Sequence, residues 1–306
     1  MDGKTLLYNL RQLLQEMSDS TFLDSYSSYM YLWEAAIELA HKTKALRSTQ
    51  TITTVADQPN YTLNADYLGL YLKDGSKQYY LKYNDGSVNT FIAWHPYEEI
   101  IYADQGSDSV SIPSYFTVRD KPSLSSRITG TATSAGASSG GECTLTDTSA
   151  LFTTTDLIDP GDVVHNTTDG SMGMVLSVTS ATAAKTALFN GTGNDWTLAD
   201  AYVIQPQARL ELYFDPPPST SAHTVTLYYL QRPAPVFSDY GMYRFPSHFM
   251  FALVKYAAWL YKYRDREPNY GDAWFKYFQH QAGQFSNQAD HMLRRKSFTV
   301  NLKAKR

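Results

Sequence analysis

The sequence predicts an α+β protein, in which a helical bundle from the N- and C-terminal helices accompanies a small β-barrel or sandwich and an inserted all-β domain. Three observations predict this class. Apolar residues recur at helical spacing in the first fifty residues and again after Pro246. Between these regions, short alternating runs are separated by turn residues. Residues 125–206 differ from their surroundings in composition, as an inserted domain would.

Two helices are predicted at the N-terminus. The apolar series of the first helix is Leu6, Leu10, Leu13, Leu14 and Met17. The next residues interrupt this series and are expected to cap the second helix: Ser18, Asp19 and Ser20. The buried stripe of the second helix is predicted to be Phe22, Tyr26, Tyr29, Trp33, Ile37 and Ala40. Because basic residues suit a helix C-terminus, this helix is expected to end near Arg47.

The period changes from helical to alternating at Thr49, where a series of short strands is predicted to begin. The dipeptides Asp74-Gly75 and Asp85-Gly86 are of the type that forms tight hairpin turns. Short strands at regular intervals with turn signals between them favour a small barrel or sandwich.

The segment 125–206 is rich in Ser, Thr, Gly and Ala and contains a single tyrosine, Tyr202. It holds eight acidic and two basic residues, which give it a net charge of -6. A loop of a host domain, formed by residues 1–124 and 207–306, can accept such an insertion because loop entropy grows slowly with length. We therefore expect an outward-facing β appendage with an acidic surface, whose removal would leave assembly intact.

Two further helices are predicted near the C-terminus. Pro246 suits the first helical position of the third helix, and Pro268 is expected to end that helix. The buried stripe of the third helix is predicted to be Phe249, Leu253, Ala257 and Leu260. The stripe of the fourth helix is predicted to be Trp274, Phe278, Ala282, Phe285, Ala289 and Met292.

The last thirteen residues, 294–306, form a basic tail with strand patterning. Six cations and no acid lie in this tail: Arg294, Arg295, Lys296, Lys303, Lys305 and Arg306. Apolar Phe298, Val300 and Leu302 alternate with polar residues. No segment of the same chain is an obvious partner for this strand, so we expect another protein to complete it by strand addition. The alternative is a frayed basic tail.

The tyrosine content is compatible with two interpretations, a surface that other chains cover or a tyrosine-rich β core. There are 24 tyrosines, whose apolar ring and polar tip suit surfaces that are first wet and later buried. The net charge of -4 does not favour a nucleic-acid-binding face. A single cysteine, Cys143, excludes an internal disulfide framework. No apolar run approaches the ~18 residues that a membrane helix needs, and no secretory signal is present.

Patterns that would indicate catalysis are weak. The residues 136–140 match the G-x-S-x-G motif of hydrolases, but no strand precedes them and no helix follows. Glu98 and Glu99 are adjacent and would face opposite sides of a strand, so they do not suggest an acid/base pair. No pair of histidines has metal-binding spacing. We therefore expect a structural protein without enzymatic activity, cofactor or metal.

Several short motifs, in this order of elements, resemble the head-to-tail adaptor (connector) proteins of tailed bacteriophages, especially of short-tailed phages. The residues that carry the resemblance are Gln58-Pro59-Asn60-Tyr61-Thr62-Leu63, Pro113-Ser114-Tyr115-Phe116-Thr117-Val118, Pro216-Pro217-Pro218, Val225-Thr226-Leu227-Tyr228-Tyr229-Leu230 and Pro233-Ala234-Pro235. It covers roughly residues 4–124 and 207–293. The segment between them looks like a β module of other phage structural proteins and departs from the minimal adaptor.

The resemblance implies a homo-oligomeric ring, usually of twelve subunits, in the neck of a virion assembled from proteins made in the host cytoplasm. Such a ring contacts the portal protein above and the tail nozzle or a tail fibre protein below. Genomic DNA passes through its channel without sequence recognition. The tail 294–306 would dock on the portal. Candidate subunit or core contacts are Tyr26, Trp33, Trp259, Trp274 and Phe278.

Two alternatives remain at this point. The first is another virion tail protein, such as a baseplate or fibre-attachment protein. The second is a carbohydrate-binding module or hydrolase, for which the tyrosine and tryptophan content is the only support.

Overall fold

The computed structural model describes residues 1–19, 23–71, 81–103, 109–121, 126–264 and 268–293. Within these ranges the chain is mixed α/β, with five helices and two curled sheets. The helices are α1 (Gly3–Leu14), α2 (Ser25–Thr43), α3 (Tyr97–Ala103), α4 (Met250–Arg264) and α5 (Pro268–Leu293). A 3₁₀ turn, Ser247–Phe249, precedes α4. No helix of these ranges is both long and apolar enough to cross a bilayer.

The strands follow the order of the chain. The first six are β1 (Arg47–Thr53), β2 (Asn60–Thr62), β3 (Tyr67–Leu70), β4 (Leu81–Asn84), β5 (Asn89–Trp94) and β6 (Tyr115–Asp120). The next six are β7 (Ile128–Thr131), β8 (Cys143–Thr146), β9 (Val163–Asn166), β10 (Ser171–Ser180), β11 (Ala183–Phe189) and β12 (Ala201–Gln205). The last two are β13 (Leu210–Asp215) and β14 (Thr224–Gln231).

The first sheet has the order β1-β14-β4-β5-β6-β13-β2, with β3 also beside β14. Its two end strands approach each other through the side chain of Gln50 on β1. The Gln50 Nε2 donates to the Thr62 carbonyl at 3.0 Å, and its Oε1 accepts from the Asn64 N–H at 2.9 Å. The sheet is therefore nearly closed around an apolar interior, which includes Tyr83, Phe116 and Phe214.

The hairpin predicted at Asp85-Gly86 joins β4 and β5. Gly86 adopts a φ of 95°, a conformation that glycine tolerates and other residues rarely adopt. The Asp85 carboxylate accepts from the N–H groups of Ser87 and Val88, which closes the turn. The other predicted hairpin, Asp74-Gly75, lies outside the described residues.

The second sheet contains only strands of the segment 125–206, in the order β7-β12-β9-β10-β11-β8. Just after β7, the Thr133 N–H donates to the Thr146 carbonyl of β8 at 2.7 Å, so the two edges of the sheet meet. The interior between them includes Phe152, Trp196 and Tyr202. This region is all-β, as the composition indicated, while its division from the remainder as a separate domain stays a prediction.

The four long helices share one core. Helix α4 packs against α1, α2 and α5, so helices from the two ends of the chain meet. Leu6, Leu10 and Leu14 of α1 are buried in this core, as their spacing predicted. Met17 was predicted to continue this apolar series but is exposed. The reason is that α1 ends at Leu14 and Gln15 adopts the left-handed conformation.

The ends of α2 differ from those predicted. Its N-cap is Asp24, whose carboxylate accepts from the Ser27 N–H at 2.7 Å, so the cap is not formed by residues 18–20. At the other end α2 stops at Thr43, where Lys44 adopts the left-handed conformation, and Arg47 already begins β1. Periodicity located the helix, but the cap depends on which nearby polar side chain reaches a free N–H group.

Asp24 is also expected to make the free energy of unfolding depend on pH. Burial alone would raise the pKa of Asp24, but hydrogen bonds from Ser27 and Asn190 outweigh it and hold the pKa below the ordinary 3.8. The carboxylate therefore stabilises the fold above that pH, and this contribution is lost as pH falls through the lowered pKa. We expect Asp24→Ala to cost about 1 kcal/mol at neutral pH, measured by urea unfolding.

Asp24→Asn is the matched control, because an asparagine still caps the helix but does not titrate there. Its stability at neutral pH should stay close to that of the wild type, and the acid-dependent loss should become smaller. Equal stability of Asp24→Ala and the wild type would contradict the assignment of this cap.

One further prediction near a helix end is corrected, and one short helix was not predicted. Pro268 begins α5 instead of ending the preceding helix, which stops by Arg264, since a proline at a first helical position loses no hydrogen bond. Glu98 and Glu99 lie in the first turn of α3 and not in a strand. Negative side chains in a first turn interact favourably with the positive end of the helix dipole.

The structure does not show residues 125–206 as an appendage detached from the helices. Met174 and Ala187, from β10 and β11, are buried in the same core as the helices. The ring of Phe189 at the end of β11 lies 5.7 Å from that of Tyr26 and 6.3 Å from that of Phe237. One face of the β10–β11 hairpin is therefore part of the helical core.

The surface of this region carries fewer exposed carboxylates than the sequence predicted. Three of its eight carboxylates are buried, namely those of Asp147, Asp162 and Asp200. Asp200 accepts from the Thr197 N–H and hydroxyl, and Asp147 accepts from the Tyr202 hydroxyl at 2.8 Å. These acids organise loops inside the β structure and do not form a charged exterior.

Candidate assembly surfaces

Three of the five predicted contact residues belong to the interior of the molecule. Phe278 is fully buried, and Tyr26 is half-buried between the rings of Phe189 and Phe237. Trp33 is buried, and its indole N–H donates to the Pro233 carbonyl at 3.0 Å. Phe278 and Trp33 therefore stabilise the subunit from its interior, and Tyr26 packs against that core with part of its surface exposed.

A polar junction connects the two sheets and the chain after β14. The Asp66 carboxylate accepts from the Tyr229 hydroxyl at 2.8 Å and from the Gln231 amide at 2.7 Å. Arg209 forms an ion pair with Asp159, and Arg232 donates to Gln207 while its guanidinium lies 5.5 Å from the Trp33 ring. A cavity of about 270 Å³ is bordered by Asp66, Asp159, Arg209, Gln231 and Arg232.

The charges at this junction are held by their partners in the same chain. Burial lowers the pKa of Arg232, and nearby Asp162, Asp66 and Asp159 oppose that effect. Burial raises the pKa of Asp159, although Arg209 opposes it. The partly buried Arg209–Asp159 pair joins the chain before β13 to the second sheet region, so we assign this junction a structural role.

The outer side of α4 is an aromatic surface. Phe251, Lys255, Trp259 and Tyr263 recur every four residues and form one ridge, which we call the aromatic ridge. Phe251 is 56% exposed and Tyr263 is 64% exposed. The half-buried Trp259 ring stacks on Phe275 of α5, with centroids 4.5 Å apart.

Helix α5 extends the aromatic ridge. The ammonium group of Lys255 lies 4.1 Å from the centroid of the Tyr277 ring, and Lys276 next to it is exposed. Gly271 lets the two helices approach, because a Cβ at this position would lie 3.0 Å from Trp259. Trp274 is half-buried on the same helix. Trp259 and Trp274, like Tyr26, are thus predicted contact residues that remain partly accessible.

A second aromatic surface lies at the end of β5, next to α3. The His95 ring packs edge-on against Tyr115 of β6, with centroids 4.3 Å apart, and its Nδ1 lies 3.1 Å from the Glu99 carboxylate. Trp94 is 45% exposed and Tyr115 is 39% exposed. The exposed Glu98 lies beside Glu99 on α3. We call these five residues the acidic rim.

The acidic rim was not found from the sequence. Its residues come from the ends of two strands and from a short helix, which tertiary structure brings together, and the sequence analysis did not predict that helix. An available signal was the run from Trp94 to Glu99, in which exposed aromatic and acidic residues directly follow a strand.

The described residues show no arrangement typical of an active site. The segment 136–140 forms bridges to Trp196 and Glu142 and is not a strand-to-helix elbow. Burial raises the pKa of the Cys143 thiol to about 11, which disfavours the reactive thiolate. Across the described ranges, no group of three His, Cys, Asp or Glu side chains is placed to hold a metal.

The predicted docking tail, residues 294–306, lies outside the described residues. The last described element before it is α5, which ends at Leu293.

Comparison with known protein families gives a match to the C-terminal part of the chain. A family model described as SU10 adaptor protein matches residues 125–299 of the chain, which is more than half of its length. The matched range contains the second sheet, β13, β14, α4 and α5. The region that looked like a departure from a minimal adaptor is therefore included in this match. No curated protein matches the chain.

Proposed function

The chain belongs to the SU10 adaptor protein family, a family of phage structural adaptors, and from this membership we propose that it is a ring subunit joining the portal vertex of a phage capsid to the tail. The family match carries this proposal. In it, residues 1–124 and 207–306 form the adaptor body, whose four long helices act as one bundle, and residues 125–206 form a β domain built into that body.

The proposed partners are further copies of the chain, the portal protein, and a tail nozzle or tail fibre protein. We propose a ring of about twelve subunits by analogy with the connectors of short-tailed phages, which extends the DNA channel in the virion neck. The exposed aromatic ridge and acidic rim support a role in which the subunit is covered by other chains. The proposed role is structural and needs neither enzymatic activity nor a cofactor.

Tail attachment provides the direct test of this function. Purified protein added to DNA-filled heads that lack it should allow tails to attach, and cryo-electron microscopy should show it as a ring between the portal and the tail. Density for the chain at a baseplate or at a fibre, with none below the portal, would overturn the proposal.

The basic tail is proposed to bind the portal. Its six positive charges would be attracted to an acidic portal surface, and its alternating apolar residues would add a strand there. We expect a chain that ends at Leu293 to lose portal binding while its thermal unfolding is unchanged, because the deletion begins after the last described helix. Binding is measured by co-sedimentation with purified portal rings.

Two matched variants separate charge from strand formation. Replacing Phe298, Val300 and Leu302 by serine keeps the six charges, and replacing the six cations by glutamine keeps the apolar alternation. Loss of binding only in the glutamine variant would indicate electrostatic attraction, and loss in both would support a docked strand. Undiminished binding by the truncated chain would contradict the role of the tail.

A further inference from the structure

We propose that neighbouring copies of this chain contact each other head to tail, with the aromatic ridge of one copy seated on the acidic rim of the next. The inference rests on the proposed ring and identifies the two surfaces that close it. The partner at each surface is a second copy of the same chain, because the aromatic ridge carries lysines and the acidic rim carries glutamates.

The aromatic ridge has the composition of a covered surface. Apolar and aromatic residues surround α4 on nearly all sides, and a helix of this kind is normally buried. The inner side of α4 meets α1 and α2, and α5 covers one flank. Phe251 and Tyr263 nevertheless remain more than half exposed. Aromatic side chains in such positions contribute strongly to interfaces once water is excluded.

The two surfaces carry opposite charges. Lys255 and Lys276 lie on the ridge side, where Asp272 is the acidic residue one turn before Lys276. Glu98 and Glu99 lie on the rim side, and the Glu99 side chain is 64% exposed. A positive aromatic surface and a negative aromatic surface are complementary, whereas two ridges or two rims facing each other would place like charges together.

The two surfaces lie on different elements of the chain. The ridge lies on helices that pack on other helices, and the rim lies where α3 packs on β6 of the first sheet. One copy therefore presents them as two distinct surfaces. A contact that joins different surfaces of identical subunits is heterologous and closes into a ring when its rotation divides a full turn. A head-to-tail contact of this kind is what a cyclic adaptor requires.

Charge reversal tests the contact. One variant carries Lys255→Glu with Lys276→Glu, a second carries Glu98→Lys with Glu99→Lys, and a third carries all four substitutions. Each of the first two should assemble roughly tenfold more weakly because like charges would face each other. The four-fold variant should recover assembly, because the charges are opposite again. Assembly is measured by native mass spectrometry and sedimentation velocity, alone and on portal rings.

Controls separate this inference from folding defects and from the proposed function. Every variant should still unfold cooperatively, with a loss of at most about 1 kcal/mol for each reversed residue, since exposed first-turn charges and surface pairs contribute no more than this. Lys4→Glu reverses an exposed residue elsewhere and removes a surface ion pair with Asp239, and this variant should assemble normally. Phe251→Ala should weaken assembly without loss of stability. If both double-reversal variants assemble as well as the wild type, or if the four-fold variant stays dissociated, the head-to-tail contact alone is overturned. A wild-type chain that never self-associates, even on portal rings, overturns the ring itself.

Discussion

Deletion of residues 125–206 is expected to give a chain that does not fold cooperatively. The deletion removes Met174, Ala187 and Phe189 from the helical core and exposes the side chains against which they pack. It also removes the hydrogen bond from Asn190 to Asp24 that connects this region to the start of α2. Each large core side chain contributes about 2–5 kcal/mol, and a whole domain is stable by only about 5–15 kcal/mol.

Circular dichroism melting and tryptophan fluorescence measure this outcome. Leu198→Ser is the control within the same region, because Leu198 is exposed and the substitution should leave the melting temperature unchanged. A deleted chain that melts cooperatively near the wild-type temperature would restore the picture of a separate appendage. The experiment thus distinguishes a β region that is part of the folding unit from one that can be removed without loss of the fold.

Phe237→Ala is expected to cost about 3–5 kcal/mol of unfolding free energy. Phe237 is fully buried in the segment between β14 and α4. Its ring centroid lies 5.9 Å from that of Tyr26, 5.8 Å from that of Tyr29 and 6.1 Å from that of Trp33. Truncation leaves a cavity where α2, β11 and this segment meet, and rigid neighbouring rings cannot close it.

Urea unfolding measures the loss, with the dependence on denaturant checked against the wild type. Tyr240→Ala is the matched control three residues away, since Tyr240 is exposed and its removal should change stability little. A loss below about 1 kcal/mol for Phe237→Ala would show that the three parts of the chain do not share one core.

Local patterns predicted those elements whose signal lies in a few neighbouring residues. The spacing of Leu6, Leu10 and Leu14 predicted α1, and the Asp85-Gly86 dipeptide predicted the hairpin between β4 and β5. The short helix α3 was missed because it has seven residues, too few to establish a period. The N-cap of α2 was misplaced because several polar residues precede the helix, and the pattern does not show that Asp24 is the one that accepts from the Ser27 N–H group.

The candidate surfaces were predicted in part. Trp259 and Trp274 are half-buried on the helices where the sequence placed them, whereas Trp33 lies in the core. A pattern at helical spacing reports that a residue lies on an apolar stripe, but it does not report what covers that stripe. The acidic rim required β5, β6 and α3 to meet, which no local pattern encodes.

The sequence by itself determined the order and type of most elements, the all-β character of residues 125–206 and the resemblance to phage adaptors, because periodicity, composition and turn dipeptides act over short distances along the chain. Tertiary structure alone decided that the β10–β11 hairpin belongs to the helical core, which tryptophans remain accessible, and where opposite charges gather on the surface. The physical reason is that burial and complementarity are properties of residues distant in sequence, and only packing brings such residues together.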